Sequence, residues 1–132
     1  MFTLEDINAA HSKVKSGADF SAYIQDLIKL GVATYDSYVF DGHTDYYSRE
    51  NEKISSPAKY AELEIKSSDT EQFKSDLRAH QQGKADYPTF CNDCAKSGVE
   101  KWTVNMDAMT CIYYDQSGSE LLVEDIPYPV NN

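Results

Sequence analysis

The strongest chemical signal in the sequence is Cys91-Asn-Asp-Cys94. Thiolates at i and i+3 share one helical face, so the pair could be a redox dithiol or half of a zinc site. A redox pair wants its first cysteine at a helix N-terminus, where the dipole lowers the thiol pKa. Asp86 to Pro88 begin the helix here, which places Cys91 a turn inside it. A zinc site needs two more ligands. Cys111 is the only other cysteine, and His11, His43 and His80 are scattered without ligand spacing. The third reading is a set of small buried fillers, since cysteine is among the residues most often fully buried. His43, beside Asp41 and Asp45, could be a general base oriented by a carboxylate, or simply a polar residue after a turn. No nucleophile or oxyanion-type glycine loop lies near it in sequence. Phosphate-binding glycine loops, His-Glu-x-x-His, Gly-x-Ser-x-Gly and calcium-loop patterns are all missing. No catalytic residue, metal ligand or cofactor-binding residue is therefore assigned, and no cofactor is expected.

The elements that must carry these residues come in two copies. Laid over itself at an offset of 67, the chain pairs Ala18-Asp19-Phe20 with Ala85-Asp86-Tyr87, and Tyr23 with Phe90. The same register pairs Gly31-Val32 with Gly98-Val99, Tyr35 with Trp102, and Tyr46-Tyr47 with Tyr113-Tyr114. This predicts two tandem repeats, about 1–66 and 67–126, in a single domain with a short C-terminal tail. Phe20, Tyr23, Ile24, Leu27 and Ile28 fall at helical spacing, and Gly31 follows where a left-handed cap belongs. The second copy has Tyr87, Phe90, Cys91, Cys94 and Ala95, stopped at Gly98. Cys91 and Cys94 thus stand where Ile24 and Leu27 stand, which favours the filler reading. Thr3 with Asp6, and Ser68 with Glu71, have capping-box spacing and predict preceding helices over about 3–16 and 69–82.

Strands follow each helix pair. Thr34 to Phe40 and His43 to Arg49 flank Asp41-Gly42, a hairpin signal of the type I′ kind. A two-residue loop would set Phe40 opposite His43, Tyr38 opposite Asp45, Asp36 opposite Tyr47 and Thr34 opposite Arg49. Tyr35, Ser37, Val39, Thr44 and Tyr46 then form the inner face, and the offset transfers it to Trp102, Val104, Met106, Cys111 and Tyr113. Further strands are predicted near Ile54, over Tyr60 to Ile65 and over Ser119 to Glu124. The expected fold is α+β: two helix–helix–hairpin repeats sharing a largely antiparallel sheet, with helices on one face. On the other face, Tyr38, Phe40, Tyr47, Ile112 and Tyr114 form a candidate apolar interaction surface. Tyr35 and Trp102 mark a candidate pocket at the seam between the repeats.

Composition narrows the function classes. The chain has 132 residues, 22 acidic against 12 basic side chains and a net charge of −10, so a phosphate-backbone binder with a basic stripe is not expected. The acidic residues divide evenly, 11 in residues 1–66 and 11 in residues 67–132, which describes a solvated surface and not an acidic site. An acidic nucleic-acid mimic would need carboxylates in a row, and no such row is found. No apolar run of membrane-spanning length or secretory leader is found, and three cysteines fit free thiols better than a disulfide scaffold. A cytoplasmic location is expected, with no nucleic-acid or membrane partner.

The pattern Tyr-Pro-x-Phe-Cys (87–91), Ala-Lys-x-Gly-Val-x-Lys-Trp (95–102) and Tyr-Tyr-Asp (113–115) resembles the YdfO-like family of small bacterial and prophage proteins. Some of these are labelled "phage envelope protein". Upstream, Phe-x-x-Tyr-x-x-x-Leu-x-x-x-Gly-Val-x-x-Tyr (20–35) extends the resemblance over nearly the whole chain. It implies an α+β fold and a cytoplasmic or phage-associated origin, and no established activity or functional residue. The expectation is a non-enzymatic interaction module that binds a protein partner or a second copy through its aromatic sheet face. The alternative is a small-molecule binder or small enzyme with a pocket at the seam.

Overall fold

Thr3 opens the first helix. Its side chain accepts from the Asp6 backbone N–H at 3.1 Å, and Asp6 accepts from the Thr3 N–H at 3.0 Å, a reciprocal capping box. The computed structural model describes residues 2–14 and 19–127. Helix α1 spans Leu4–His11 and α2 spans Phe20–Leu30, followed by strands β1 (Val32–Tyr38), β2 (Thr44–Ser48) and β3 (Lys53–Ser55). The second run is α3 (Thr70–Gln81), α4 (Tyr87–Lys96), β4 (Lys101–Asn105), β5 (Thr110–Tyr114) and β6 (Glu120–Asp125). The order helix–helix–strand–strand–strand thus occurs twice.

The strands form one antiparallel sheet in the order β3-β2-β1-β4-β5-β6. The sheet is α+β in kind, with helices packed on the face that carries Tyr35, Val39, Tyr46, Trp102, Val104 and Tyr113. All ten inner-face residues expected from the alternation are buried, including Ser37 and Thr44, whose hydroxyls hydrogen-bond each other at 3.1 Å. From the helices come Ile7, Tyr23, Ile24, Leu27, Phe73, Leu77, Phe90 and Cys94. Burying each of the larger apolar side chains contributes about 1.5–3 kcal/mol, which is what holds helices this short in place.

In the two inner hairpins, positions 67 apart are placed alike. Ser37 opposes Thr44 in the first hairpin and Val104 opposes Cys111 in the second. Gly42 (φ 78°) and Met109 (φ 54°) take the same left-handed conformation at the end of each loop. At the middle of the sheet, Asp36 lies opposite Thr103 and accepts its hydroxyl at 2.6 Å. On either side Tyr35 faces Val104 and Ser37 faces Trp102. Because residues 36 and 103 are themselves 67 apart, an approximate twofold axis passes through that pair.

Several expected details are corrected. The first hairpin does not close through a two-residue type I′ turn. Asp36 opposes Asp45 and Thr34 opposes Tyr47, a register two residues from the expected one. Val39 stays in the core at 0% exposure and its carbonyl accepts the Tyr60 hydroxyl at 2.6 Å, so the loop widens to Val39–Gly42. A slip of two keeps every side chain on its expected face. Helix α3 is capped by Asp69, which accepts from the Gln72 N–H at 3.1 Å, and not by a Ser68–Glu71 box. Helix α1 ends at His11, where the Ser12 hydroxyl bonds back to the Ala9 carbonyl at 2.7 Å; residues 15 and 16 of the expected helix lie outside the described residues. Residues 60–65 form no strand, because β3 already occupies the β2 edge. That segment is instead pinned by Lys59 N–H to Asp41, Leu63 N–H to Phe40 and Lys66 N–H to Ala95 carbonyls, at 2.7–2.9 Å.

Candidate functional site

Between the helices and the inner sheet face lies a cavity of about 750 Å³. Its lining comes from both halves in pairs 67 apart: Phe20 with Tyr87, Tyr23 with Phe90, Tyr35 with Trp102, Thr44 with Cys111, and Tyr46 with Tyr113. The approximate axis therefore runs through the cavity as well as the sheet. Tyr35 and Trp102 both line it, at 5% and 8% exposure. The other aromatic pairs belong to the same site, although the periodicity alone places them only in the core.

The rings are held by one another. Tyr35 packs on Tyr46 at 5.6 Å between centroids, Trp102 on Phe90 at 5.8 Å and on Tyr113 at 6.0 Å, and His80 stacks on Phe90 at 4.4 Å. His80 is fixed by a 3.0 Å hydrogen bond between Nδ1 and the Ala85 carbonyl. Burial raises the pKa of the Tyr35, Tyr46 and Tyr113 hydroxyls, so they remain protonated donors at neutral pH. The Tyr113 hydroxyl donates to Glu124 at 3.3 Å. Tyr35 Oη and the Trp102 indole N–H have no hydrogen-bond partner among the described residues, and neither is a sealed, unsatisfied polar atom. Both are available to an occupant of the cavity.

The three thiols lie in the core. Cys91, Cys94 and Cys111 are free and buried, at 1%, 0% and 4% exposure. Burial pushes all three pKa values up, that of Cys111 to about 12, opposite to what a nucleophilic thiolate requires. Asp86 caps α4 by accepting from the Thr89 N–H at 2.9 Å, so Cys91 lies beyond the first turn. Among the described residues, no group of three or more His, Cys, Asp or Glu side chains is arranged to hold a metal ion.

On the outer sheet face, Tyr38, Phe40, Tyr47, Ile112 and Tyr114 are all half-buried. Tyr38 stacks on His43 at 4.5 Å, with Phe40 edge-on. Lys101 places its ammonium between Tyr38 and Tyr114, 5.7 and 5.6 Å from the two rings. Asp36, Asp45 and Thr103 separate this cluster from Tyr47, and Thr103 lies beside Ile112. The five residues are thus interleaved with polar groups and do not form one continuous apolar patch. His43 Nδ1 meets Asp41 at 2.5 Å, and its Nε2 is 4.0 Å from Asp45.

Residues 8–125 match the family described as "Protein of unknown function (DUF1398)". The chain belongs to the DUF1398 family. No curated protein matches it. The family match runs from within α1 to the end of β6. It therefore includes every pair of residues that lines the cavity floor. Among the described residues, no helix of this DUF1398 protein is long and apolar enough to cross a membrane.

Proposed function

We propose that this DUF1398 protein binds a small organic molecule, non-covalently, in the cavity between its two halves. The observation that carries this reading is the convergence of aromatic pairs from both halves on one space of about 750 Å³. Cavities of roughly 300–1,000 Å³ with apolar walls and a few fixed polar groups are the usual form of small-molecule sites. Here the polar groups are the Tyr35 hydroxyl, the Trp102 indole N–H and the Ser37–Thr44 hydroxyl pair. The interaction-module reading, with a protein partner or second copy on the outer face, has less support because charged and hydroxyl groups break up the patch. The matching element order, registers and left-handed positions support a duplicated unit as the origin of the cavity. Three free thiols favour a reducing compartment such as the cytoplasm. The motifs at 87–102 and 113–115 favour a YdfO-like, prophage-derived origin.

Trp102 is the single tryptophan, so its fluorescence reports on the cavity directly. Titration with a library of aromatic metabolites is expected to give saturable quenching for one chemical class. Tyr35→Leu should weaken that binding about tenfold, the worth of one aromatic contact plus its hydroxyl bond, with unchanged circular dichroism. No change in Trp102 emission or melting temperature across the library would overturn the proposal.

A further inference from the structure

The two halves of the cavity match in shape and differ in charge. Lys59 lines one side, while the residue 67 positions on, Ile126, lines the other as a buried apolar group at 5% exposure. His11 lies on the Lys59 side, packed edge-on against Tyr23 at 5.4 Å. Both are on exposed residues at the cavity mouth, and neither forms an ion pair with a carboxylate among the described residues. Glu124 also lines the cavity, where Tyr113 and Gln81 donate to it at 3.3–3.4 Å. Asp125, Asp86, Lys84 and His80 are the other ionisable groups that line the cavity, and the Lys59 ammonium lies 5.8 Å from the ring of Tyr87, the residue after Asp86.

We propose that the cavity takes a small planar aromatic acid, its ring between the Tyr35 and Trp102 walls and its anionic group at the mouth against Lys59 and His11. This rests on the ligand-binding reading above and adds ligand class and orientation to it. In a chain of net charge −10, an ammonium left without a carboxylate at the mouth of an aromatic cavity is a docking point for an anion. Although both residues are exposed overall, partial desolvation of the charged groups lowers the Lys59 pKa and, together with the nearby Lys59 charge, that of His11. A bound anion reverses both effects, and an imidazole without charge still donates an N–H. Glu124, whose carboxylate accepts from Tyr113 and Gln81, repels the same group.

The test is calorimetric titration of the full chain with three probes of one shape: naphthalene-2-carboxylate, 2-naphthylmethanol and 2-naphthylmethylammonium. The carboxylate should bind about tenfold more tightly than the alcohol, and the ammonium more weakly than either, as expected for one charge-assisted hydrogen bond. Lys59→Met should remove the carboxylate's advantage and leave the alcohol's affinity unchanged. Lys59 hydrogen-bonds through its backbone N–H, and Met keeps an apolar stem against the Tyr87 ring where the ammonium lies, so this variant keeps the fold. Equal affinity for carboxylate and alcohol, or equal weakening of both in Lys59→Met, overturns the proposal while leaving a ligand-binding cavity in place. If none of the three binds, the proposal also falls, and the library titration decides separately whether the cavity takes any ligand.

Discussion

Asp41 shows how one side chain can hold a loop. Its carboxylate accepts the His43 backbone N–H at 2.9 Å and faces the ring Nδ1 of the same residue. Burial alone would raise the carboxyl pKa, but the hydrogen bonds and charge of His43 outweigh it, so the group is held below its ordinary value. A carboxyl depressed on folding contributes stability that is complete above the unfolded pKa, near 4, and is lost as pH falls through the folded value. Asp41→Asn should therefore cost about 1 kcal/mol at pH 7, with a gap to the parent protein that narrows below about pH 4. Urea unfolding at pH 7 and pH 3 measures both; an equal gap at the two pH values would remove the charge from this account. At this scale the sequence was informative wherever it offered its own control. Cys91 and Cys94 were legible as core because Ile24 and Leu27 occupy the same places, and both are fully buried. Lys59 was not legible, because nothing in its neighbours signals that a loop lysine ends at the mouth of a cavity.

At the scale of elements, the helix stops at Gly31 and Gly98 form a natural comparison. Both glycines are left-handed, at φ 100° and 84°, and both follow a helix that feeds a central strand. A Cβ on Gly31 would meet nothing within 4 Å, whereas on Gly98 it would come within 2.4 Å of the Ser68 Cα. Backbone atoms cannot swing aside as a flexible side chain can, and the Asp69 N–H is tied to the Ser97 carbonyl at 2.8 Å. Gly31→Ala should thus cost only the conformational penalty of about 1–2 kcal/mol. Gly98→Ala should cost clearly more, and thermal melts should put its midpoint at least about 4 °C below that of Gly31→Ala. Equal midpoints would mean that the segment before α3 yields freely. Periodicity located these helices and strands, and alternation assigned every inner-face residue correctly. The Asp41-Gly42 turn misled because a tertiary contact, Tyr60 on the Val39 carbonyl, outweighs the local preference for a two-residue loop. The extended segment at 60–65 misled for a related reason: its alternation is real, but β3 already covers the β2 edge and the segment is held by the Asp41, Phe40 and Ala95 carbonyls instead.

At the scale of the whole molecule, the two halves meet where a sheet can least tolerate being cut. Strands β1 and β4 are the two central strands, joined from Thr34↔Asn105 to Tyr38↔Lys101. Parting them would expose two strand edges and open a core to which Tyr35 and Val39 contribute from one side and Trp102 and Val104 from the other. The self-alignment at an offset of 67 proposes two like units, and the like registers of the two hairpins support that reading. The cavity was not legible there, since a void depends on how the halves seat against each other and leaves no periodic trace in either. Fragments 1–66 and 67–132 are close to the size at which a single core is marginal. Each alone should be unfolded, or should self-associate through its exposed β1 or β4 edge. Mixed in equal amounts, they should form a one-to-one complex in which Trp102 emission shifts to the blue as its ring returns between Phe90 and Tyr113. Analytical ultracentrifugation and fluorescence of the separate and mixed fragments measure this. A fragment that is monomeric and melts cooperatively by itself would mean that each half closes its own core. The cavity would then be a gap between two finished units, and its aromatic floor would owe nothing to their union.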